Sequence, residues 1–230
     1  MARKIKVDNA DIKRLTRFEL NRQVGLKPKQ IFLLIVCEGE KTEPNYFESI
    51  KKYIPKQRVE VEIYGSGKNT LDVVEEVVKL RHKFKSEKNR IYDEVWAVFD
   101  SDSFPAENFN NAINKGESLK ENVFCAWTNE AFELWYLLHF EFVNVSMSRE
   151  DYKPFIEKQI SAKSGKPFKY LKNSEEMYRI LQKYGDETQA IKRAETLEKL
   201  YTDKRYSAHN PCTMVHKLIL KLNELKEIYK

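Results

Sequence analysis

The sequence has few cysteines and no long hydrophobic run. Its three cysteines, Cys37, Cys125 and Cys212, are widely separated and form no CxxC pair. This spacing argues against structural zinc and favours reduced thiols. No apolar stretch approaches the roughly 18 to 20 residues needed to span a bilayer, and the basic start MARKIKVDNADIKRL contains no apolar core typical of a secretory signal. We therefore expect a cytoplasmic protein that has no membrane partner.

Excess charge is confined to the first 30 residues. This segment contains nine Lys or Arg against three Asp or Glu, whereas the remaining residues are balanced, so the formal net charge of +6 resides in residues 1–30. A basic arm can follow a phosphate backbone, because each neutralised phosphate releases counterions. The arm therefore suggests contact with DNA or RNA. The other interpretation is a solvated N-terminal segment without a partner.

Strand and helix signals alternate between residues 31 and 128. Four apolar or alternating segments predict strands: 31–37, 58–65, 92–100 and 122–127. The intervening segments predict helices: 42–53, 70–85 and 104–116. Strands joined by helices of this length form right-handed crossovers and hence a parallel sheet. We predict an α/β domain over 31–128, with a parallel sheet flanked by helices, and a helical C-terminal region over 129–230 that packs on it.

Acidic residues directly follow two of the predicted strands. Glu38 comes after the first, while Asp100 and Asp102 form a DxD pair at the end of the third. Ligands of open parallel sheets bind beyond the carboxyl ends of strands, and side chains at i and i+2 point the same way. The three carboxylates should therefore converge and repel one another unless a divalent cation lies between them. The pattern predicts a site for Mg²⁺ or Mn²⁺, although a lone DxD pair also occurs by chance.

The residues around Glu38 have further candidate roles. Gly39 would let the backbone approach a phosphate closely. Lys41 could bind that phosphate, or it could be an ordinary solvated charge. Glu43 could complete a second metal site, or it could complement the dipole of a helix for which Thr42 is the predicted N-cap.

Longer segments around these residues resemble a known family. VCEGEKTE followed by VFDSD is similar to the Toprim pattern, which has a glutamate after the first strand and a DxD after the third. CEGEKTEPNYF, FELWYLLHF and NPCTMVHKLILKL resemble the RloB family, a Toprim-like family of bacterial defence and restriction loci. The resemblance spans residues 31–222 and implies a Toprim-like, Rossmann-like fold. It also implies metal-dependent cleavage of nucleic-acid phosphodiester bonds in anti-phage defence, with Glu38, Asp100 and Asp102 as the catalytic and metal-binding carboxylates.

The resemblance extends to one more acid and to a partner. Glu133 lies in the apolar block FELWYLLHF, where a carboxylate needs a partner, so it is a secondary candidate for the acidic edge. His139, six residues later, is predicted to be a packed core histidine. Since some Toprim nucleases contain an ATPase domain and this chain has none, any nucleotide control is expected from a separate ATPase subunit.

Two other functions fit parts of the pattern. Phosphatases of the haloacid dehalogenase type also have DxD at a strand end, but theirs is commonly on the first strand, and DSDSF here follows the third. A non-catalytic binding or regulatory subunit of a defence system could retain the fold and bind nucleic acid. The intact acidic residues favour the nuclease over both.

Three other segments have simpler interpretations. SGKN at 66–69 lacks the GxxxxGK[ST] spacing of a phosphate loop and is predicted to be a turn. The lysine-rich segment 161–173 is predicted to be an exposed loop. Thr213 is predicted to cap the last helix.

Overall fold

Five strands form one sheet in the computed structural model, which describes residues 30–67, 70–88, 91–101, 105–119 and 123–227, with backbone alone at 70, 71 and 88. The strands are β1 (Ile31–Cys37), β2 (Val59–Gly65), β3 (Glu94–Asp100), β4 (Val123–Asn129) and β5 (Cys212–Thr213). Their order is β2-β1-β3-β4-β5. Residues 1–29, which make up nearly all of the basic arm, and Asp102 lie outside the described residues.

The first four strands are parallel, as the alternation of strand and helix signals predicts. β5 is antiparallel and pairs only with the last two residues of β4, through Thr128–Thr213 and Asn129–Cys212. Two residues are too few for a period-two pattern, so the sequence gives no signal for this strand. The predicted α/β class, with a parallel sheet flanked by helices and a helical C-terminal region, is confirmed.

The helices of the described residues lie on both faces of the sheet. They are α1 (Thr42–Lys51), α2 (Thr70–Lys88), α3 (Ala106–Ser118), α4 (Glu133–Leu138), α5 (Arg149–Ser164), α6 (Met177–Tyr184), α7 (Glu187–Lys199) and α8 (Val215–Glu227). Alternate residues of β1 are buried in two hydrophobic clusters: Leu33 and Ile35 with α1 and the C-terminal helices, Leu34 and Val36 with α2 and α3. Burial on both faces explains why β1 is a continuous apolar run.

Residues 31–230 form one compact unit, and its division into parts at residue 128 stays a prediction. Within the described residues, no helix has the length and apolar character required to cross a membrane. His139 is a packed core histidine, as predicted: it is buried, and its Nδ1 lies 2.9 Å from the Trp135 carbonyl oxygen. Burial lowers the pKa of His139 to about 4.

Several predicted helix ends are wrong for identifiable reasons. α5 continues to Ser164, into the predicted loop 161–173, and ends where Gly165 adopts a φ of 69°. α3 continues past Gly116, because this glycine is not a stop but a close contact: an added Cβ would collide with Cys125 Sγ. Thr42 is inside α1 and caps nothing, since its hydroxyl donates to the Lys172 carbonyl instead.

Candidate functional site

A cavity of about 330 Å³ opens at the carboxyl-terminal edge of the sheet, where β1 and β3 end. We call it the acidic cavity, because four of its carboxylates come from four different elements: Glu38 after β1, Glu43 in α1, Asp100 in β3 and Glu133 in α4. Its remaining lining residues are Gly39, Glu40, Lys41, Thr42, Phe132, Arg149, Lys172 and Asn173.

The parallel pairing of β1 with β3 brings Glu38 beside Asp100. Cys37, the last residue of β1, is in register with Val98, so β3 continues for two more residues beside Glu38 and ends at Asp100. The Glu38 N–H donates to the Val98 carbonyl at 2.8 Å, and the Asp100 N–H donates to Glu38 Oε2 at 3.0 Å. The Glu38 side chain is therefore fixed across the end of β3.

Asp100 is the most buried charge of the cavity, with 5% of its surface exposed. Its Oδ2 accepts a hydrogen bond from the Phe132 N–H at 3.0 Å and lies 3.7 Å from Arg149 Nη2. Burial raises the pKa of Asp100 well above its ordinary value, and the nearby charges of Glu43, Glu133 and Glu38 raise it further. Burial and three neighbouring carboxylates thus both oppose the ionisation of Asp100.

Glu43 is buried next to the turn that follows β1. Its pKa is raised first by burial and then by Glu133, while Lys172 and Arg149 act in the opposite direction. A Cβ at position 39 would collide with the Glu43 carboxylate, so only glycine leaves room for it. Gly39 thus has a steric function that the sequence analysis did not predict.

Glu133 has the partner that its apolar surroundings require. Its Oε1 accepts a hydrogen bond from the Tyr170 hydroxyl at 2.9 Å, and both residues are buried. Tyr170 belongs to the segment between α5 and α6. The C-terminal region therefore orients one carboxylate of the acidic cavity.

Two cations of the cavity also come from the C-terminal region, and sequence reasoning missed both. Arg149 is the first residue of α5, and Lys172 follows that helix in the connection to α6. Neither residue belongs to a motif, and the lysine density of 161–173 indicated only exposure. The positive charge at the cavity therefore includes Arg149 and Lys172 as well as the predicted Lys41.

The structure brings six of the candidate residues to one cavity: Glu38, Gly39, Lys41, Glu43, Asp100 and Glu133. The seventh, Asp102, lies outside the described residues. Of the segment SGKN, Ser66 and Gly67 follow β2 and lie beside the end of β1: the Gly67 N–H donates to the Glu38 carbonyl at 3.0 Å, and Gly67 has a φ of 60°. Lys68 and Asn69 lie outside the described residues, so the turn at SGKN stays a prediction. The hydrogen bond from Gly67 holds the backbone of Glu38 in place.

The donor set fits a hard divalent cation. The cavity offers carboxylate oxygens, which Mg²⁺ and Mn²⁺ prefer, and the carboxylates of Glu43, Glu133 and Glu38 lie near enough to Asp100 to add to the rise that burial causes in its pKa. As the side chains stand, however, no three His, Cys, Asp or Glu of the described residues are arranged to hold a metal ion. An ion would therefore have to draw these carboxylates closer together.

The fold and the cavity define an α/β protein in which a parallel sheet carries buried acids at its carboxyl-terminal edge. The chain belongs to the RloB-like family, since the family model described as "RloB-like protein" matches residues 33–222. The match extends from β1 into α8 and includes every residue of the acidic cavity. Neither the curated proteins nor the solved structures gave a match to this chain. The family predicted from the three sequence blocks is thus confirmed.

The raised pKa values of Asp100 and Glu43 predict a stability that falls as pH rises. Both groups bind a proton more tightly in the folded chain than in the unfolded one. Their contribution is therefore complete below the ordinary carboxyl pKa of about 4 and is lost as pH rises through the folded-state pKa. In EDTA, Asp100→Asn should raise the melting temperature relative to wild type, and this difference should grow with pH.

The matched control for this measurement is Glu107→Gln, at an exposed position of α3. Its melting temperature should follow that of the wild type at every pH. Parallel curves for the wild type and Asp100→Asn would show that the acidic cavity stores no electrostatic repulsion.

Proposed function

We propose that this protein is a divalent-metal-dependent nuclease of Toprim type that cleaves phosphodiester bonds in DNA or RNA. The observation that carries the proposal is the convergence of four carboxylates with Arg149 and Lys172 at the carboxyl-terminal edge of a parallel sheet. Membership of the RloB-like family supports a role at bacterial defence loci. A separate ATPase subunit of such a locus is the proposed source of any nucleotide control.

The residues of the cavity divide into two groups by charge. Glu38, Asp100 and Glu43, together with Asp102, would hold Mg²⁺ or Mn²⁺. The bound ion would supply positive charge at the scissile phosphate and lower the pKa of an attacking water. Glu38 is also the residue best placed to accept a proton, since the Asp100 N–H holds its Oε2 in a fixed orientation.

The cations would bind the substrate. Arg149 presents a planar fork of N–H donors that matches two phosphate oxygens. Lys172 and Lys41 are point charges on flexible stems, and both line the mouth of the same cavity. Gly39 lines the same cavity and would let the backbone approach the phosphate on the side that the Glu43 carboxylate does not fill.

A non-catalytic nucleic-acid-binding or regulatory subunit is the second candidate. The observation that favours it is the present arrangement of the described carboxylates, in which no three are placed to hold an ion. In that case Arg149 would serve as the permanent counter-ion of Asp100. The cavity would then bind phosphates without cutting them.

The experiment that separates the two candidates measures binding and cleavage on one preparation. End-labelled single-stranded and duplex DNA, single-stranded RNA and folded RNA are incubated with Mg²⁺, Mn²⁺, Ca²⁺ or EDTA. The nuclease proposal predicts cleavage of at least one substrate in Mg²⁺ or Mn²⁺ and no cleavage in EDTA. Binding without cleavage under every condition would reject the nuclease in favour of the binding subunit.

Gly39→Ala should weaken metal binding while leaving the fold intact. The added Cβ would displace the Glu43 carboxylate, which is the flexible end of a side chain, and not a backbone atom. We expect the affinity for Mn²⁺ to fall about tenfold, a free-energy change of about 1.4 kcal/mol. Calorimetric titration with Mn²⁺ measures this, and the control is Glu107→Gln, at an exposed position of α3 that does not line the cavity. Unchanged Mn²⁺ affinity in Gly39→Ala would exclude Glu43 as a ligand.

A further inference from the structure

The connection between α5 and α6 contains three regularly spaced lysines. We call residues 165–173 the lysine loop, and its lysines are Lys166, Lys169 and Lys172. All three are exposed, and none of them forms an ion pair with a described residue. Lys172 lines the acidic cavity, whereas Lys166 and Lys169 belong to no site described so far.

The lysine loop runs back along α5 toward the cavity. The Phe168 N–H donates to Ser161 Oγ at 2.8 Å, and the Tyr170 N–H donates to Glu157 Oε1 at 2.9 Å. Later residues of the loop thus pair with earlier residues of the helix. Since α5 begins at Arg149, which lines the acidic cavity, the loop leads from the far end of the helix to the site.

Three hydrogen bonds fix the cavity end of the loop, and one of them runs from Asn45 Nδ2 to the Asn173 carbonyl at 3.0 Å. Thr42 Oγ1 donates to the Lys172 carbonyl at 2.9 Å, and the Tyr170 hydroxyl donates to Glu133. Tyr170 points inward and is buried, whereas its neighbours Lys169 and Leu171 are exposed. The loop therefore presents its lysines to solvent from a fixed backbone.

The spacing of the lysines suits a phosphate backbone. In an extended chain, three residues span at most about 10 Å, so Lys166 and Lys172 lie no more than about 20 Å apart along the loop. Lysine binds phosphate as a point charge, so these side chains can contact a phosphate backbone regardless of its base sequence. Leu171, with 62% of its surface exposed beside Lys172, offers apolar surface to an unstacked base.

We propose that Lys166 and Lys169 bind the phosphates of a single nucleic-acid strand and guide it into the acidic cavity. This inference rests on the proposed function, because it extends the phosphate contacts of Lys172 and Arg149 outward from the site. The lysine loop sets substrate affinity, and the carboxylates set turnover. The lysine loop would therefore be a second basic segment that binds nucleic acid, in addition to the N-terminal arm.

The test is the double variant Lys166→Gln with Lys169→Gln in the full-length chain. Binding of a fluorescent oligothymidylate or oligouridylate is measured by anisotropy in EDTA, so that no cleavage intervenes. Each lost contact with a single strand removes about 0.7 from the slope of log K against log salt, so the slope should decrease by about 1.4. Affinity at about 0.1 M salt should then fall about 25-fold, if it is unchanged near 1 M.

The matched control is Lys83→Gln with Lys85→Gln. Both lysines are exposed near the end of α2, which leads to the start of β3 and hence to the opposite edge of the sheet. This control should bind with the wild-type slope. In a cleavage assay the loop variant should raise KM and leave kcat unchanged.

The outcomes separate the lysine loop from the nuclease. If the wild type cleaves no substrate but the loop variant still shows a smaller slope of log K against log salt, the proposed role of the lysine loop stands and the nuclease proposal is wrong. If the wild type cleaves and the loop variant binds with an unchanged slope of log K against log salt, the proposed role of the lysine loop is overturned and the nuclease proposal stands. Deletion of residues 1–28 provides the comparison: if it alone removes the salt dependence, the arm and not the lysine loop binds the strand.

Discussion

Asp100→Asn should abolish metal-dependent cleavage without lowering the melting temperature. The side chain keeps its size, and its amide oxygen can still accept the hydrogen bond from the Phe132 N–H. What is lost is the negative charge that would hold the ion at the end of β3. Because metal at a phosphate contributes several kcal/mol and 1.36 kcal/mol is tenfold in rate, we expect the rate to fall about 1,000-fold or more.

The same substitution should relieve repulsion in the free protein. Asp100 is buried among Glu43, Glu133 and Glu38, each of which raises its pKa. Addition of Mn²⁺ should raise the melting temperature of the wild type through binding to the folded state. It should leave that of the variant almost unchanged.

Cleavage and melting are measured on one preparation of each protein, with Mg²⁺, Mn²⁺ and EDTA. Glu107→Gln is the control for charge removal away from the cavity. An Asp100→Asn protein that folds normally and cuts at the wild-type rate would remove Asp100 from the metal site. The nuclease proposal would then lose its central residue.

The acidic half of the cavity could be predicted because it follows from local rules. A buried strand, a helix and another buried strand specify a parallel pair, and the carboxyl ends of parallel strands meet at one edge. That Glu38 and Asp100 lie at the same edge is therefore visible in the sequence, whereas the direct pairing of β1 with β3 is not. Glu133 could be named because a carboxylate in an apolar segment requires a partner, but its partner, Tyr170, could not.

Apart from Lys41, the basic half of the cavity depends on tertiary packing and could not be predicted. Arg149 and Asp100 are far apart in sequence, and their contact depends on how α5 packs against the sheet. The hydrogen bond from Thr42 to the Lys172 carbonyl likewise joins α1 to a segment 130 residues later. Thr42 was predicted to cap its own helix, but its hydroxyl donates a hydrogen bond to the distant Lys172 carbonyl instead.

Arg149 should have opposite effects on metal affinity and on turnover. In the free protein its guanidinium lies 3.7 Å from Asp100 Oδ2, and its charge opposes the raised pKa of Glu43. A cation in this position competes with a metal ion for the same carboxylates. Arg149→Met should therefore increase the affinity for Mn²⁺, measured by calorimetric titration.

Turnover should change in the other direction. If Arg149 moves from Asp100 to the substrate, its planar fork binds two oxygens of the phosphate as negative charge develops there. Loss of one such preorganised donor typically costs about 100- to 1,000-fold in kcat. Arg149→Lys keeps the charge but not the fork, so it should restore wild-type Mn²⁺ affinity and only part of the rate.

These two measurements distinguish a substrate-binding arginine from a structural counter-ion. A counter-ion alone predicts higher Mn²⁺ affinity in Arg149→Met with kcat unchanged, whereas the proposed function predicts higher affinity together with a lower kcat. Reduced Mn²⁺ affinity would contradict both, because it would mean that Arg149 holds the carboxylates in place for the ion. Arg193→Met is the control, since Arg193 donates to the Leu138 carbonyl away from the cavity and should alter neither quantity. The sign of the affinity change and the size of the kcat change therefore decide what Arg149 does at the end of β3.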